Sequence, residues 1–338
     1  MALTQEREKL LAQREVILSN TFRDILSRVP ETVDFAQTEA REMKIATTPE
    51  GKFALTYLLS ARDLLKPALE DLTNISPDLL VPRGGSQHNP ERNIDKVGTN
   101  IALEVMERTK DFPHTWMRTE ESADWENISR DDAGPHEGIR FIIVDPLDMT
   151  SAIPRLNRVQ TTGIAIYDKA GTLQSLGIMS LVNSDMVFIE NREGNLSVYP
   201  APIPGKDTDS QGLLRVAAKI RRMHSLNNLP LFQSGAKWAM DCDSGFATLG
   251  LLNNTVDTVV DHEKGSVWYE VAIWGRAAQA LGFPVSDKEG NTLDIEQDVK
   301  KMIQKHEGDT FRIPFVMSRT PAIHARVLEL LKSSKNSS

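Results

Sequence analysis

Carboxylates carry most of the chemistry this sequence could do. The pair Glu120-Glu121 comes first, the segment Asp145-Pro146-Leu147-Asp148 follows the apolar run 139–144, and Glu270 closes the tripeptide Trp268-Tyr269-Glu270. Proline fixes its own φ and lacks an amide proton, so a strand running into Asp-Pro-Leu-Asp is expected to end in a tight turn that presents two carboxylates and the intervening Leu147 carbonyl. Such a group suits a hard cation. Mg²⁺ takes oxygen ligands in near-octahedral geometry and keeps waters and substrate phosphate in its shell, so a few carboxylates are enough to hold it. Each piece has a plainer reading when it stands alone, because adjacent glutamates usually form a solvated face and Asp-Pro is usually an ordinary turn. Their order and context carry the inference.

That context is specific. The segments Ile94-Asp-Lys-Val-Gly-Thr-Asn100, Thr119-Glu-Glu-Ser122, Val144-Asp-Pro-Leu-Asp-Met-Thr150 and Trp268-Tyr-Glu-Val-Ala272 occur in an order and at spacings that resemble the superfamily of lithium-sensitive, Mg²⁺-dependent phosphatases. This group contains inositol monophosphatases, fructose-1,6-bisphosphatases and bisphosphate nucleotidases. The resemblance spans residues 50 to 290. It implies that Glu120, Asp145, the Leu147 carbonyl, Asp148 and Glu270 hold two or three Mg²⁺ ions, with Mn²⁺ as a substitute. Metal ions in such a site clamp phosphate oxygens, lower the pKa of a bound water and stabilise the leaving alkoxide. Thr150, Glu121 and Asn100 fall at catalytic positions, Thr150 matching a Thr or Ser that orients the attacking water. A cap on the following turn is an equally natural role for Thr150.

Against that family's pattern the resemblance is a divergent one. Met149 replaces the glycine that follows the second Asp, and a side chain is costly there if the backbone needs φ > 0 or must admit phosphate to its amide. Asn100 replaces an Asp, and an amide neither takes up a proton nor adds negative charge. Leu281-Gly-Phe283 replaces Ala-Gly-Gly, whereas Tyr269-Glu270 matches the fructose-bisphosphatase form. Met149, Thr150 and Ser151 beside the turn, with Lys237, Glu263 and Lys264, are the substrate-contact candidates. Glu263 falls where inositol monophosphatases contact substrate hydroxyls, and Lys264 where fructose-bisphosphatases meet a second phosphate. Both also read as solvated loop charges. The expected substrate is a small phosphorylated metabolite: an inositol phosphate, a sugar phosphate or a nucleotide bisphosphate. The alternative is a catalytically weakened relative that binds a phosphometabolite or a protein.

The elements that must position these groups follow from periodicity. Leu10, Leu11, Ile17, Leu18, Phe22, Ile25 and Leu26, then Phe53, Leu55, Leu58, Leu59 and Leu64, recur at helical spacing, which predicts helices over the first seventy residues. A turn-rich loop over 82–90 and a helix over 94–109 come next. Short β-branched runs at 139–144, 161–167, 176–182 and 186–189, joined by turns at Asp168-Lys-Ala-Gly171 and Asn191-Arg-Glu-Gly194, predict a meandering sheet. Helices over 234–252, 269–281 and 322–332 and a strand over 255–260 complete the reading. The fold class is α/β, with the alternating helix and sheet layers of the sugar-phosphatase type. The domains expected are a helical extension over 1–48, a helix–sheet domain with the metal motifs over 49–205 and a C-terminal α/β domain over 206–338. The Pro-, Gly-, Asp- and Ser-rich stretch 200–211 lies at the second boundary, and the tail 333–338 is expected to fray.

Composition agrees with this class. The chain has 338 residues, enough for a large layered fold, and a formal net charge of −8, which argues against nucleic acid as the main partner. The basic group Lys219, Arg221, Arg222 and Lys237 could still meet a second phosphate, although a charged helix face explains it as well. One cysteine, Cys242, rules out an internal disulfide framework and points to a reducing compartment. A charged N-terminus and the lack of a long apolar stretch predict a cytoplasmic protein without a membrane partner. The family resemblance also implies a homo-oligomer, dimer or tetramer.

Overall fold

The computed structural model describes residues 2–74, 93–109, 112, 114–119, 122, 125–128, 138–148, 160–201, 214–218, 236–241, 244–305 and 312–333. The N-terminal helices form as expected: α1 (Ala2–Met43), α2 (Pro49–Asn74) and α3 (Asn93–Arg108). Thr48 caps α2 by accepting the Gly51 amide at 3.0 Å, and Pro49 fills the first helical position, where no amide proton is needed. The strands of the first sheet are β1 (Thr115–Thr119), β2 (Glu126–Asn127), β3 (Arg140–Asp148), β4 (Thr161–Asp168), β5 (Leu173–Ser180), β6 (Met186–Arg192) and β7 (Asn195–Tyr199). They lie in the order β2-β1-β3-β4-β5-β6-β7. Only β1 and β3 run parallel; the other pairs are antiparallel. Both expected turns appear. Gly171 donates to the Asp168 carbonyl at 3.0 Å, and Glu193 and Gly194 both take positive φ, 52° and 83°, as the tight β6–β7 hairpin requires.

A second sheet has the order β11-β12-β10-β8-β9. It is made of β8 (Leu214–Ala218), β9 (Ala236–Asp241), β10 (Thr258–Val267), β11 (Val285–Ser286) and β12 (Arg312–Ser318). The helices of this half are α4 (Ser244–Leu252), α5, α6 (Ile295–Lys305) and α7 (Pro321–Ser333). The composite α5 begins as Trp268–Glu270, widens to a π turn over Val271–Gly275 and finishes as Arg276–Ala280.

Three apolar cores stack these elements into five alternating layers. Both faces of the first sheet are apolar, so along β3 alternate residues enter different cores. Ile142 and Val144 pack against α1–α3 with Val33, Phe53, Leu58 and Ile101. Phe141 and Ile143 pack on the other side with Trp268, Trp274 and Val299. A third core, of Val216, Val260, Val316, Ile323 and Val327, fixes α7 beneath the second sheet. The layered α/β class is therefore observed. Two sequence expectations are corrected. The helix over 234–252 is strand β9 followed by α4, because Ala236–Asp241 pairs in parallel with β8. The strand expected over 255–260 begins at Thr258, runs to Val267 and carries a register shift between Asp261 and Ser266. Among the described residues no helix is long and apolar enough to cross a membrane.

One buried carboxylate joins the helical layer to the sheet. Glu190 of β6 is fully buried and accepts the amides of Thr47 and Thr48 at 2.7 and 2.6 Å, both threonine hydroxyls, and Arg192. Burial pushes its pKa up, but the bonds from Thr48, Thr47 and Arg192 outweigh it and hold the group below the ordinary glutamate value. A depressed carboxylate contributes stability above its unfolded pKa and loses it as pH falls through the folded value. Glu190→Gln should therefore destabilise the fold at pH 7 by about 2–3 kcal/mol. The gap to wild type in denaturant titrations should shrink as the pH is lowered below the ordinary glutamate range; a gap that does not depend on pH would contradict this account.

Candidate functional site

The Asp145–Asp148 segment is not the terminal turn the sequence suggested but a bulge within β3. Asp145 pairs with Gly163 and Asp148 with Thr161, so three steps along β3 match two along β4. The extra residue breaks the alternation: Leu147 enters the same core as Ile142 and Val144 despite its odd position. Proline is tolerated within sheets at such bulges because no ladder amide is lost, and bulges re-aim side chains next to sites. The Asp145 carbonyl accepts the Thr162 hydroxyl at 3.3 Å, and Thr162 shares a hydrogen bond with the Tyr57 hydroxyl of α2 at 3.0 Å. On the helical side, α3 meets the bulge at Gly98, where a Cβ would lie 2.4 Å from the Pro146 Cβ.

From the other side comes α5, whose first turn lies against β3. Trp268 and Tyr269 are buried, and Glu270 is partly exposed. Gly163, opposite Asp145 on β4, leaves room for Trp274, since a Cβ there would sit 2.3 Å from the indole ring. The Tyr167 hydroxyl donates to the Ala272 carbonyl inside the π turn at 2.6 Å. Burial raises the Tyr167 pKa well above the usual phenol range, so this donor keeps its proton. A π turn directly after Glu270 fits the frequent placing of such turns at functional sites.

The third contributor is the end of β1. Thr119 pairs with Val144, so β1 finishes level with the residue before Asp145, where the chain enters Glu120-Glu121. Thr119 and Ser122 bond each other across that pair: the Thr119 amide donates to Ser122 Oγ at 2.8 Å and the Ser122 amide to Thr119 Oγ1 at 3.2 Å. The end of β1, the bulge of β3 and the first turn of α5 therefore come together. Among the described residues no three His, Cys, Asp or Glu side chains gather closely enough to hold an ion. Glu120 and the Asp148 carboxylate lie outside those residues. The donors described, the Asp145 and Glu270 carboxylates and the Leu147 carbonyl, are all oxygen, which fits a hard divalent cation.

Comparison with solved structures bears on this arrangement. An IMPase/NADP phosphatase complexed with NADP and Ca²⁺ superposes with a TM-score of 0.55 at 12% identity, covering 82% of this chain and 91% of its own. The same kind of enzyme complexed with Mg²⁺ and phosphate gives 0.53 at 14%, covering 80% and 94%. An IMPase from Thermotoga maritima gives 0.53 at 12%, covering 81% and 98%. The chain has the inositol monophosphatase fold. No protein-family model and no curated protein matches it in sequence, so the likeness is one of architecture.

Within this inositol monophosphatase fold the candidate residues separate into groups. Asp145 and Leu147 lie on the β3 bulge, and Glu270 ends the first turn of α5, which packs against β3. Glu120, Glu121, Met149, Thr150 and Ser151 lie outside the described residues, as do the side chains of Asp148, Lys237, Glu263 and Lys264. Asn100, on α3, is exposed, and its amide donates to the Lys96 carbonyl one turn back at 2.8 Å. Two residues beyond Gly98 is about 200° around a helix, so the face that meets Pro146 is not the face that carries Asn100. Residues not foreseen from sequence are Gly98, Thr162 and Gly163, together with Arg118 and Trp125, which touch the residues just before Glu270. The only local signal for any of them is a glycine inside a helical or strand pattern, which marks a close approach.

Gly98→Ala should push α3 off Pro146 and destabilise the protein by about 1–3 kcal/mol. Equilibrium unfolding checks this, and an unchanged midpoint would show that the helix yields without cost.

Proposed function

We propose that this protein is a Mg²⁺-dependent phosphomonoesterase that hydrolyses a small phosphorylated metabolite with a metal-activated water. The observation that carries the reading is the meeting of the β1 end, the β3 bulge and the α5 start, three elements distant in sequence: the bulge and α5 bear Asp145 and Glu270, and Glu120 follows β1 directly in the chain. The fold is shared with enzymes whose structures contain Mg²⁺ and phosphate, or NADP and Ca²⁺, which supports membership of the inositol monophosphatase superfamily. Glu120, Asp145, the Leu147 carbonyl, Asp148 and Glu270 would hold the ions, with Mn²⁺ able to replace Mg²⁺. When bound, such ions neutralise phosphate charge and lower the pKa of water.

The chain's own residues do the positioning. The buried Asp145 carboxylate is held on a strand whose neighbours lock its carbonyl and both flanks, so it is preorganised for its ligand. Thr150 and Glu121 are assigned to orient the attacking water, and Met149, Ser151, Lys237, Glu263 and Lys264 to line the substrate. Asn100 is left out of the catalytic set because of its place on α3.

Purified protein tested against inositol phosphates, sugar mono- and bisphosphates and adenosine bisphosphates should release phosphate from at least one of them in proportion to added Mg²⁺. Asp145→Asn should reduce that turnover by more than about 100-fold without unfolding the protein. Folded wild type that releases no phosphate from any compound at any Mg²⁺ concentration would rule the proposal out.

A further inference from the structure

The segment around Glu120-Glu121 is anchored on its two sides to two consecutive residues, Tyr269 and Trp268. Before it, Arg118 is buried and places its guanidinium carbon 5.7 Å from the centre of the Tyr269 ring. After it, the buried Trp125 lies 5.9 Å from Trp268, tilted by 43°. Trp125 is also edge-on to Phe141 of β3 at 5.3 Å. Trp268 and Tyr269 stand edge to face at 6.1 Å, and the next residue in the chain is Glu270. Thr119 and Ser122, between the two anchors, are bonded to each other.

We propose that Arg118, Trp125, Trp268 and Tyr269 are positioning residues that tie the two ends of the segment bearing Glu120 and Glu121 to the first turn of α5, so that the ligands of both are presented as one unit. This rests on the metal-site reading above and adds to it how ligands from two distant segments are held in register. Successive helical residues point about 100° apart, so contacts at Trp268 and Tyr269 fix both the position and the rotation of the first turn of α5. The direction of Glu270 follows. The flat guanidinium suits this role better than an ammonium, because it stacks on an aromatic face while keeping its charge. Groups that orient metal ligands from behind change metal affinity more than they change the fold.

The test is Mn²⁺ titration followed by electron paramagnetic resonance, which reads ion binding without requiring turnover, alongside thermal unfolding. Tyr269→Leu and Arg118→Met should each weaken Mn²⁺ binding roughly tenfold. Tyr269→Phe, which keeps the ring face, should stay within about twofold of wild type. Where activity is measured, the Mg²⁺ concentration for half-maximal rate should rise more than the substrate KM. If wild type binds Mn²⁺ and the folded Arg118→Met and Tyr269→Leu proteins bind it equally well, the clamp is overturned while the metal site stands. If Tyr269→Leu does not fold, Arg118→Met decides alone. If wild type binds no Mn²⁺, the metal-site reading itself fails and the clamp with it.

Discussion

Two paired strands cannot keep both their ladder and a constant side-chain face when one of them carries an extra residue, and β3 carries one between Asp145 and Asp148. The bulge sends Leu147 into the helical core and leaves Asp145 with the parity of Phe141 and Ile143, on the side covered by α5. A buried carboxylate on a strand is costly unless its surroundings are arranged for it. The neighbouring elements are shaped to the bulge: α3 gives up a side chain at Gly98, β4 gives one up at Gly163, and Thr162 holds the Asp145 carbonyl.

The layers matter because the site uses both faces of one sheet. On one face α2 and α3 hold the strand from behind through Tyr57 and Gly98. On the other, α5 arrives with Glu270. Tyr167 and Trp274 hold the π turn of α5 against β4; the aromatic group of Trp125, Phe141, Trp268 and Tyr269 ties the start of α5 to β3, and Arg118 over the Tyr269 ring ties it to β1. A helix with a π turn has a face offset from that of a regular one, so Glu270 and the later core residues of α5 can each meet their own partners.

Motif chemistry was legible in the sequence because ligand groups are local: Glu-Glu, Asp-Pro-Leu-Asp and Tyr-Glu each hold their donors within a few residues. Four strands of the first sheet, β3 to β6, were legible for a similar reason, since runs such as Thr161–Asp168 and Met186–Arg192 are rich in β-branched and apolar residues and bounded by turn residues. Ala236–Asp241 was not. Its mixture of Ala, Trp and Met fits either a helix or a strand, and only pairing with β8 selects the strand. The bulge was read as a turn because proline signals both, and the choice between them depends on whether β4 continues alongside.

The contact of α3 with the bulge shows the same limit: the phase of the helix that puts Gly98 on Pro146 is not written in the motif. Nothing in the neighbourhood of Arg118 or Trp125 announces that they meet Tyr269 and Trp268 from another part of the chain. The sequence by itself determined which chemistry is available, the oxygen ligands and their order, because residue type and short spacing are covalent facts. The tertiary structure decided which of the elements that carry those groups meet. Strand register, helix phase and close packing across layers are set by contacts between segments far apart in the chain, and no local pattern records them.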